Sequence, residues 1–443
     1  MSVTEARVTL WGADVGAVAW DNEASLADFQ YAPAFIERGV EIAPIKMPLR
    51  QAAYRFAALN RETFHGLPGL LADSLPDRFG HALFDAWLAR QGRSAASANP
   101  VERLCYVGRR GMGALEFEPV AGPAAAENIP LEVAKLVEIS NQVLQARNTS
   151  AAHLREGLTA DEMRAIIQVG TSAGGARAKA VIAWNPETGE VRSGQSQLDA
   201  GFEHWILKLD GISNNRDKET DADPQGYGIR EYIYYEMALA AGITMTSSRL
   251  LTENGRSHFM TRRFDRPDEG GKLLMQSLCA LGHYDYNAPG QTSYEELFHL
   301  MKRLGLGRSA MQEQFRRLVF NVLGCNRDDH TKNTAFLMDK RGQWHLSPAF
   351  DLTFAWNPQG RYTHAHQMSL NGKRDGIGKS DLMAVARVAD ISPRSAMLIM
   401  EQVDAALAQC ATLCLKHGLP DALSGFTVQE VTAMRSAVLS KKQ

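Results

Sequence analysis

Residues 321–353, NVLGCNRDDHTKNTAFLMDKRGQWHLSPAFDLT, constrain this chain more than any other segment. Two polar motifs, NRDDHTKN and AFDLT, flank two short apolar runs, 334–338 and 344–347, joined by Asp339-Lys340-Arg341-Gly342. Apolar runs of that length around such a turn predict an antiparallel hairpin. A hairpin returns its second strand beside the start of the first, so Asp351 is expected close to Asn333 and Asp328. One Asp, an Asn five residues on and a second Asp brought back beside them supply oxygen ligands for a hard cation such as magnesium, and an acceptor for a hydroxyl proton. Phosphoryl transfer needs those groups. The competing reading is a polar loop bonded only to its own backbone.

Upstream segments bear on that choice. GTSAGGARAKA (170–180) holds three glycines, two hydroxyls and two cations ahead of a strand-like run. Glycines let backbone N–H groups approach phosphates, and a following cation adds charge. Lys208 is isolated in the short apolar strand WILKLD (205–210), a position suited to a lysine on nucleotide phosphates. Glu231 opens the next helix and is the expected partner of Lys208, with Glu236 on the same helix as a rival. RLLTEN and SHFMTRRFDR form a strand pair around Asn254-Gly255. Glycine loop, lysine, helix glutamate, strand pair, D-x-x-x-x-N and aspartate is the order found in kinases. Gly170-Thr171-Ser172-Ala173-Gly174 also spells G-x-S-x-G, the turn that carries a hydrolase serine. That turn must lead into a helix, and Gly-Gly-Ala-Arg-Ala-Lys followed by a β-like run is a poor one.

Composition bounds the rest. With 48 Lys plus Arg against 50 Asp plus Glu, a strongly basic nucleic-acid clamp is not expected. No run approaches about 18 uninterrupted apolar residues, so no membrane span is expected. The first residues lack the basic and apolar regions of a signal peptide. Five cysteines, an odd number, suit a reducing compartment, hence an expected cytoplasmic location. Cys410 with Cys414, and His364 with His366, are pairs without a further cluster to make a metal site. Strands at 5–11 and 14–20, a helix carrying Phe79, Leu83, Phe84 and Trp87, and a linker at 120–130 outline an amino-terminal α+β module. A sheet-rich middle follows, and helical periodicity dominates beyond about residue 275.

The chain resembles the HipA family of bacterial toxin kinases over nearly its whole length. LLADSLPDRFG and GRRGMGALEFEP are similar to the family's amino-terminal signatures, SAGGARAKA to its phosphate loop and ILKLD to its lysine strand. REYIYYEMALAAGI is similar to its first lobe helix, TRRFDR to its hinge, and NRDDHTKN with AFDLT to its catalytic and metal segments. The resemblance implies an α+β, kinase-like two-lobed fold with a small amino-terminal α+β subdomain and a largely helical carboxyl-terminal lobe. The expected divisions are 1–120, 131–265 and 266–443. It implies a serine/threonine protein kinase using ATP and Mg2+, with Asp328 as the catalytic aspartate and Asn333 and Asp351 as metal ligands. Nucleotide positions implied are Ala173, Gly174, Gly175, Ala176, Arg177, Lys179, Lys208, Glu231, Arg262, Arg263, Phe264, His330 and Lys332. Ser172 matches a serine whose autophosphorylation switches the enzyme off. Implied partners are a small DNA-binding HipB-like antitoxin, DNA through it, and a protein substrate such as an aminoacyl-tRNA synthetase. Asp329, beside Asp328, is a departure that offers a second carboxylate for the base role, and Arg262 replaces an acidic hinge residue.

Overall fold

The computed structural model describes residues 3–121, 130–146, 166, 169, 178–194, 198–212 and 225–439. The expected positions Ser172, Ala173, Gly174, Gly175, Ala176 and Arg177 lie outside the described residues. The described residues are 39% helical and 19% strand, and their helices and strands separate along the sequence as an α+β arrangement requires.

Among the described residues, three antiparallel sheets organise the fold. The first contains β1 (Glu5–Leu10), β2 (Ala13–Asp21), β3 (Leu26–Tyr31) and β4 (Leu115–Glu118), in the order β3-β2-β1-β4. Ala6, Val8 and Leu10 alternate inward along β1. Trp11 and Gly12 both take positive φ, as the tight β1–β2 turn demands. The second contains β5 (Lys179–Trp184), β6 (Val191–Ser193), β7 (Glu203–Lys208), β8 (Ser248–Glu253) and β9 (Arg256–Arg262), ordered β6-β5-β7-β9-β8. Asn254 and Gly255 turn β8 into β9, both at positive φ. The third contains β10 (Leu274–Ser277), β11 (Ala335–Met338) and β12 (Trp344–Leu346). The hairpin expected from the 321–353 stretch is β11–β12, with Phe336 opposite Leu346.

Helices Tyr227–Ala240, Tyr294–Arg303, Arg308–Leu323, Lys379–Val388 and Pro393–Leu407 share one apolar core, in which Tyr234, Phe298, Phe315, Leu382 and Val403 are buried. The helical stretch Pro393–Lys416 is long and apolar enough to cross a membrane by length and composition, although no uninterrupted apolar run was expected. Its Ile399, Met400, Val403 and Leu407 face this core.

The amino-terminal module does not close on itself. Its helix Arg78–Arg90 contributes Phe79, Leu83, Phe84 and Leu88 to a cluster shared with Ala180 and Ile182 of β5 and Trp205 and Leu207 of β7. Trp11 Nε1 donates to the Lys272 carbonyl at 2.7 Å, and Asp73 accepts from the Ser277 N–H at 2.7 Å and hydroxyl at 2.8 Å. Between these contacts Asp265, fully buried, accepts from the Gly113 N–H at 2.7 Å, Arg263 at 2.7 Å and Arg266 at 2.8 Å. Burial would raise the Asp265 carboxyl, but Arg263 and Arg266 hold it well below the usual carboxylate range. A depressed folded value contributes stability that is present above the ordinary carboxyl range and lost as pH falls through the folded one. Asp265→Asn should therefore destabilise the protein by about 3–5 kcal/mol, because two guanidinium groups remain buried without their anion. A denaturant midpoint unchanged from wild type would contradict this.

Candidate active site

The site is built where β5 and β7 end. These strands are antiparallel, and their register sets Lys179 directly opposite Lys208. Like charges in that relation repel. Asp351 bridges them, its Oδ1 bonded to Lys208 Nζ and its Oδ2 3.8 Å from Lys179 Nζ. Lys208 Nζ also donates to Glu231 Oε1 at the start of helix Tyr227–Ala240. Glu236, the rival on that helix, pairs instead with Lys416 at 3.0 Å and His417 at 2.7 Å. Burial would raise the Asp351 carboxyl, and the Lys179 and Lys208 ammonium groups hold it well below the usual range. For Lys208 burial acts to lower its value, and Asp351 and Glu231 raise it above the ordinary lysine range. The lysine is charged at neutral pH. Asp351 itself sits at φ +54°, a left-handed conformation that Asp and Asn tolerate better than other residues with a Cβ.

The hairpin brings the two polar motifs together. Ser347 N–H donates to the Ala335 carbonyl at 3.0 Å, so the chain leaves β12 toward Asp351 beside the point where it entered β11 from Asn333. A parallel bridge between Asn326 and Ala355 ties the two loops below it, through Arg327 N–H to Ala355 O and Ala355 N–H to Cys325 O, each at 3.0 Å. Asn333 Nδ2 donates to the Asp328 carbonyl at 2.8 Å, which leaves its side-chain oxygen as an acceptor. His330 Nε2 lies 3.8 Å from Asp328 Oδ1. Burial pushes the His330 imidazole down to about 4, against the pull of Asp351, so it is neutral at pH 7.

Asp328 and Asp329 are in opposite situations. The Asp328 side chain is 50% exposed and that of Asp329 is 1% exposed. Asp329 accepts from the Tyr294 hydroxyl at 2.7 Å, His366 Nδ1 at 2.9 Å and the Gln367 N–H at 2.7 Å. Tyr294 in turn accepts from Asn321 at 3.2 Å, and Asn321 from Asn326 at 2.9 Å. Asp329 is thus the anchor of a buried network behind the loop, and Asp328 is the carboxylate that faces outward. His366 and His364 diverge, His364 Nδ1 contacting the Gly360 carbonyl at 2.9 Å.

At the hinge, Arg262 pairs with Asp268 and with Glu203 at 3.5 Å, and Arg263 is buried against Asp265. Their backbone N–H groups are also committed, to Ser247 and His204 carbonyls at 2.9 Å. Phe264 remains, its ring 5.7 Å from that of Phe350, the residue before Asp351. Phe350 and Tyr294 carry no signal singled out in the sequence, and His366 appears there only as one of a histidine pair. An aromatic next to the AFDLT aspartate was the available signal for the first; the other two are joined to the site only through folding.

Among the described residues, Lys179, Lys208, Glu231 and Asp351 meet where β5 and β7 pair, while Asp328, His330, Asn333 and Lys332, the last with its Nζ 4.9 Å from the Tyr286 ring centroid, belong to the D-x-x-x-x-N loop. Asn333 and Asp351 offer oxygen atoms, as a hard divalent cation prefers. Lysines 179 and 208, joined by an aspartate, offer a place for polyphosphate charge.

The family profile described as the HipA-like C-terminal domain matches residues 171–411, and that described as the HipA N-terminal domain matches residues 6–118. The chain belongs to the HipA-like family. A curated protein of Sinorhizobium fredii, named "Putative kinase Y4dM", is 27% identical over 200 residues, 43% of this chain. The matched part spans about half of that relative, 47% of its length. A chain from the Shewanella oneidensis toxin–antitoxin complex of HipA, HipB and operator DNA superposes with a TM-score of 0.66 at 16% identity. The match covers 98% of this chain and 96% of that one.

Proposed function

We propose that the protein is an ATP- and magnesium-dependent serine/threonine protein kinase, and that its physiological role is that of a growth-arresting toxin. The observation that carries the reading is the bonding of one lysine, Lys208, to both a helix glutamate and the aspartate returned by the hairpin, next to the D-x-x-x-x-N loop. Asp328 orients the acceptor hydroxyl and takes its proton. Asn333 and Asp351 hold magnesium, which when bound would neutralise phosphate charge. Lys179, Lys208 and Lys332 supply cations to the phosphates, Glu231 fixes Lys208, and His330 donates or accepts as a neutral imidazole. Phe264 packs on the base. Ala173 to Arg177 are the proposed phosphate-binding positions, and phosphate on Ser172 would bring about −1.5 to −2 charges that compete with ATP for the same cations.

Family membership and the HipA–HipB–DNA neighbour support a small HipB-like antitoxin as partner, with DNA contacted through it. A translation protein such as an aminoacyl-tRNA synthetase is the proposed substrate, and the cytoplasm the proposed location. The divisions 1–120, 131–265 and 266–443 are proposed as subdomain, nucleotide region and catalytic lobe. Incubation with Mg2+ and ATP, alone and with cell extract, followed by phosphopeptide mass spectrometry, should find phosphate on Ser172 and on seryl or threonyl groups of an extract protein. ATP consumed with free phosphate as the sole product would contradict the kinase reading.

A further inference from the structure

Asp210 lies two residues beyond Lys208, where β7 ends, and Gly226 stands just before helix Tyr227–Ala240, which carries Glu231. The Lys208–Glu231 bond therefore depends on how that strand end and that helix start are held together. Asp210 holds them. Its Oδ2 accepts from the Gly226 N–H at 2.9 Å, and its own N–H donates to His258 Nδ1 on β9 at 2.8 Å. Beside it, the Leu209 N–H donates to the Ala178 carbonyl at 3.0 Å, next to Lys179.

The junction is buried and close. Asp210 is 4% exposed and His258 is fully buried. The helix start runs so near β9 that a Cβ on Gly228 would lie 2.1 Å from the Ser257 carbonyl oxygen. Phe259, which follows His258, pairs with Lys208 across the β7–β9 ladder, its ring centroid 5.6 Å from Lys208 Nζ. Burial lowers the His258 imidazole against the pull of Glu253, whose Oε1 lies 3.2 Å from Nε2. Nδ1 is thus a bare acceptor for the Asp210 N–H, and Nε2 carries the proton. The other Asp210 oxygen, Oδ1, is buried without a hydrogen-bond partner among the described residues. Burying it costs stability, so stability alone does not account for a carboxylate here.

We propose that Asp210, backed by His258, is a positioning residue for phosphoryl transfer, which fixes the start of helix Tyr227–Ala240 at the end of β7 and so sets the Lys208–Glu231 contact. The proposal rests on the kinase reading for its chemistry, and on the hydrogen bonds of Asp210 for its structure. It assigns a part in the reaction to two residues that touch neither nucleotide nor metal ligand.

Asp210→Ala removes the acceptor of the Gly226 N–H, whereas Asp210→Asn keeps a carbonyl oxygen for it. In Asp210→Ala, kcat should fall about tenfold or more while KM for ATP changes less than about threefold, as expected of an interaction made in the transition state. Asp210→Asn should recover most of that loss. In a Glu231→Gln background Asp210→Ala should cause no further fall in kcat, because residues acting through one another are not additive. Independently of turnover, urea melts of Lys208→Met, Glu231→Gln and the double variant give the coupling between the two side chains. Asp210→Ala should reduce that coupling to less than about half, and Asp210→Asn should preserve it. If Asp210→Ala does not fold, His258→Leu and His258→Asn make the same comparison at the other bond, Asn keeping an acceptor near the Nδ1 position. An unchanged coupling, additive losses in kcat, or a conservative variant no better than the disruptive one would overturn the proposal. A wild-type protein that transfers no phosphate while the coupling still depends on Asp210 would instead refute the kinase reading and leave the positioning intact.

Discussion

Asp328→Asn is expected to lower phosphoryl transfer by about 10²–10⁴-fold, the range of a removed general base. Size and hydrogen-bonding shape are preserved, and the side chain is half exposed, so the fold should be unaffected. ATP affinity should change little, because Asn333 bonds to the Asp328 backbone carbonyl and not to its carboxylate. Asp329→Asn should behave differently. It places an amide among three donors, so it should destabilise the protein by about 1–3 kcal/mol while retaining measurable transfer. Parallel steady-state assays and urea melts of the two variants check both statements. Loss of transfer confined to Asp329→Asn would move the base by one residue.

Much of this site was legible because it is local. The D-x-x-x-x-N spacing, the turn at 339–342 and the lone lysine of WILKLD each carry their signal within a few residues, and the hairpin and strands form where that signal lies. The choice between Glu231 and Glu236 was open because both lie on one helix. The fold decides it by helix face: Glu231 is buried against Lys208, and Glu236 reaches Lys416 and His417 of the carboxyl-terminal helices. Asp329 was ambiguous for the same kind of reason. Its partner His366 is 37 residues away, and no local pattern announces that pairing. Arg263 is a further case. Its place in TRRFDR marks the hinge, but nothing local announces that its guanidinium is buried on Asp265 beside the amino-terminal module.

Asp351→Asn carries the second large effect. The carboxylate serves two cations that the β5–β7 register forces face to face, and it is also the proposed metal ligand. Asn is the suitable replacement because it accepts the left-handed backbone at φ +54°, where Ala would add strain. Turnover should fall by at least about 10²-fold, as when a group that neutralises transferring phosphate is misplaced. Magnesium should cease to strengthen ATP binding in calorimetric titrations, and stability at neutral pH should drop by about 1–3 kcal/mol as Lys179 and Lys208 lose their shared anion. The sign with pH follows from the depressed carboxyl. The stabilisation it gives is present above the ordinary Asp range and is lost in acid, so the wild-type and Asn variants should converge in stability as pH falls. ATP binding that keeps its full magnesium dependence in Asp351→Asn would remove this residue from the metal site.

The proposed reaction is transfer of the terminal phosphate of ATP to a protein hydroxyl. Parallel incubations with γ-labelled and α-labelled ATP, in magnesium and with cell extract, test it most directly. Acid-stable label is expected on protein from γ-labelled ATP alone, lost in Asp328→Asn and on chelation of magnesium. Label from α-labelled ATP, which would mean nucleotidyl transfer, or no protein label from either nucleotide, would contradict it.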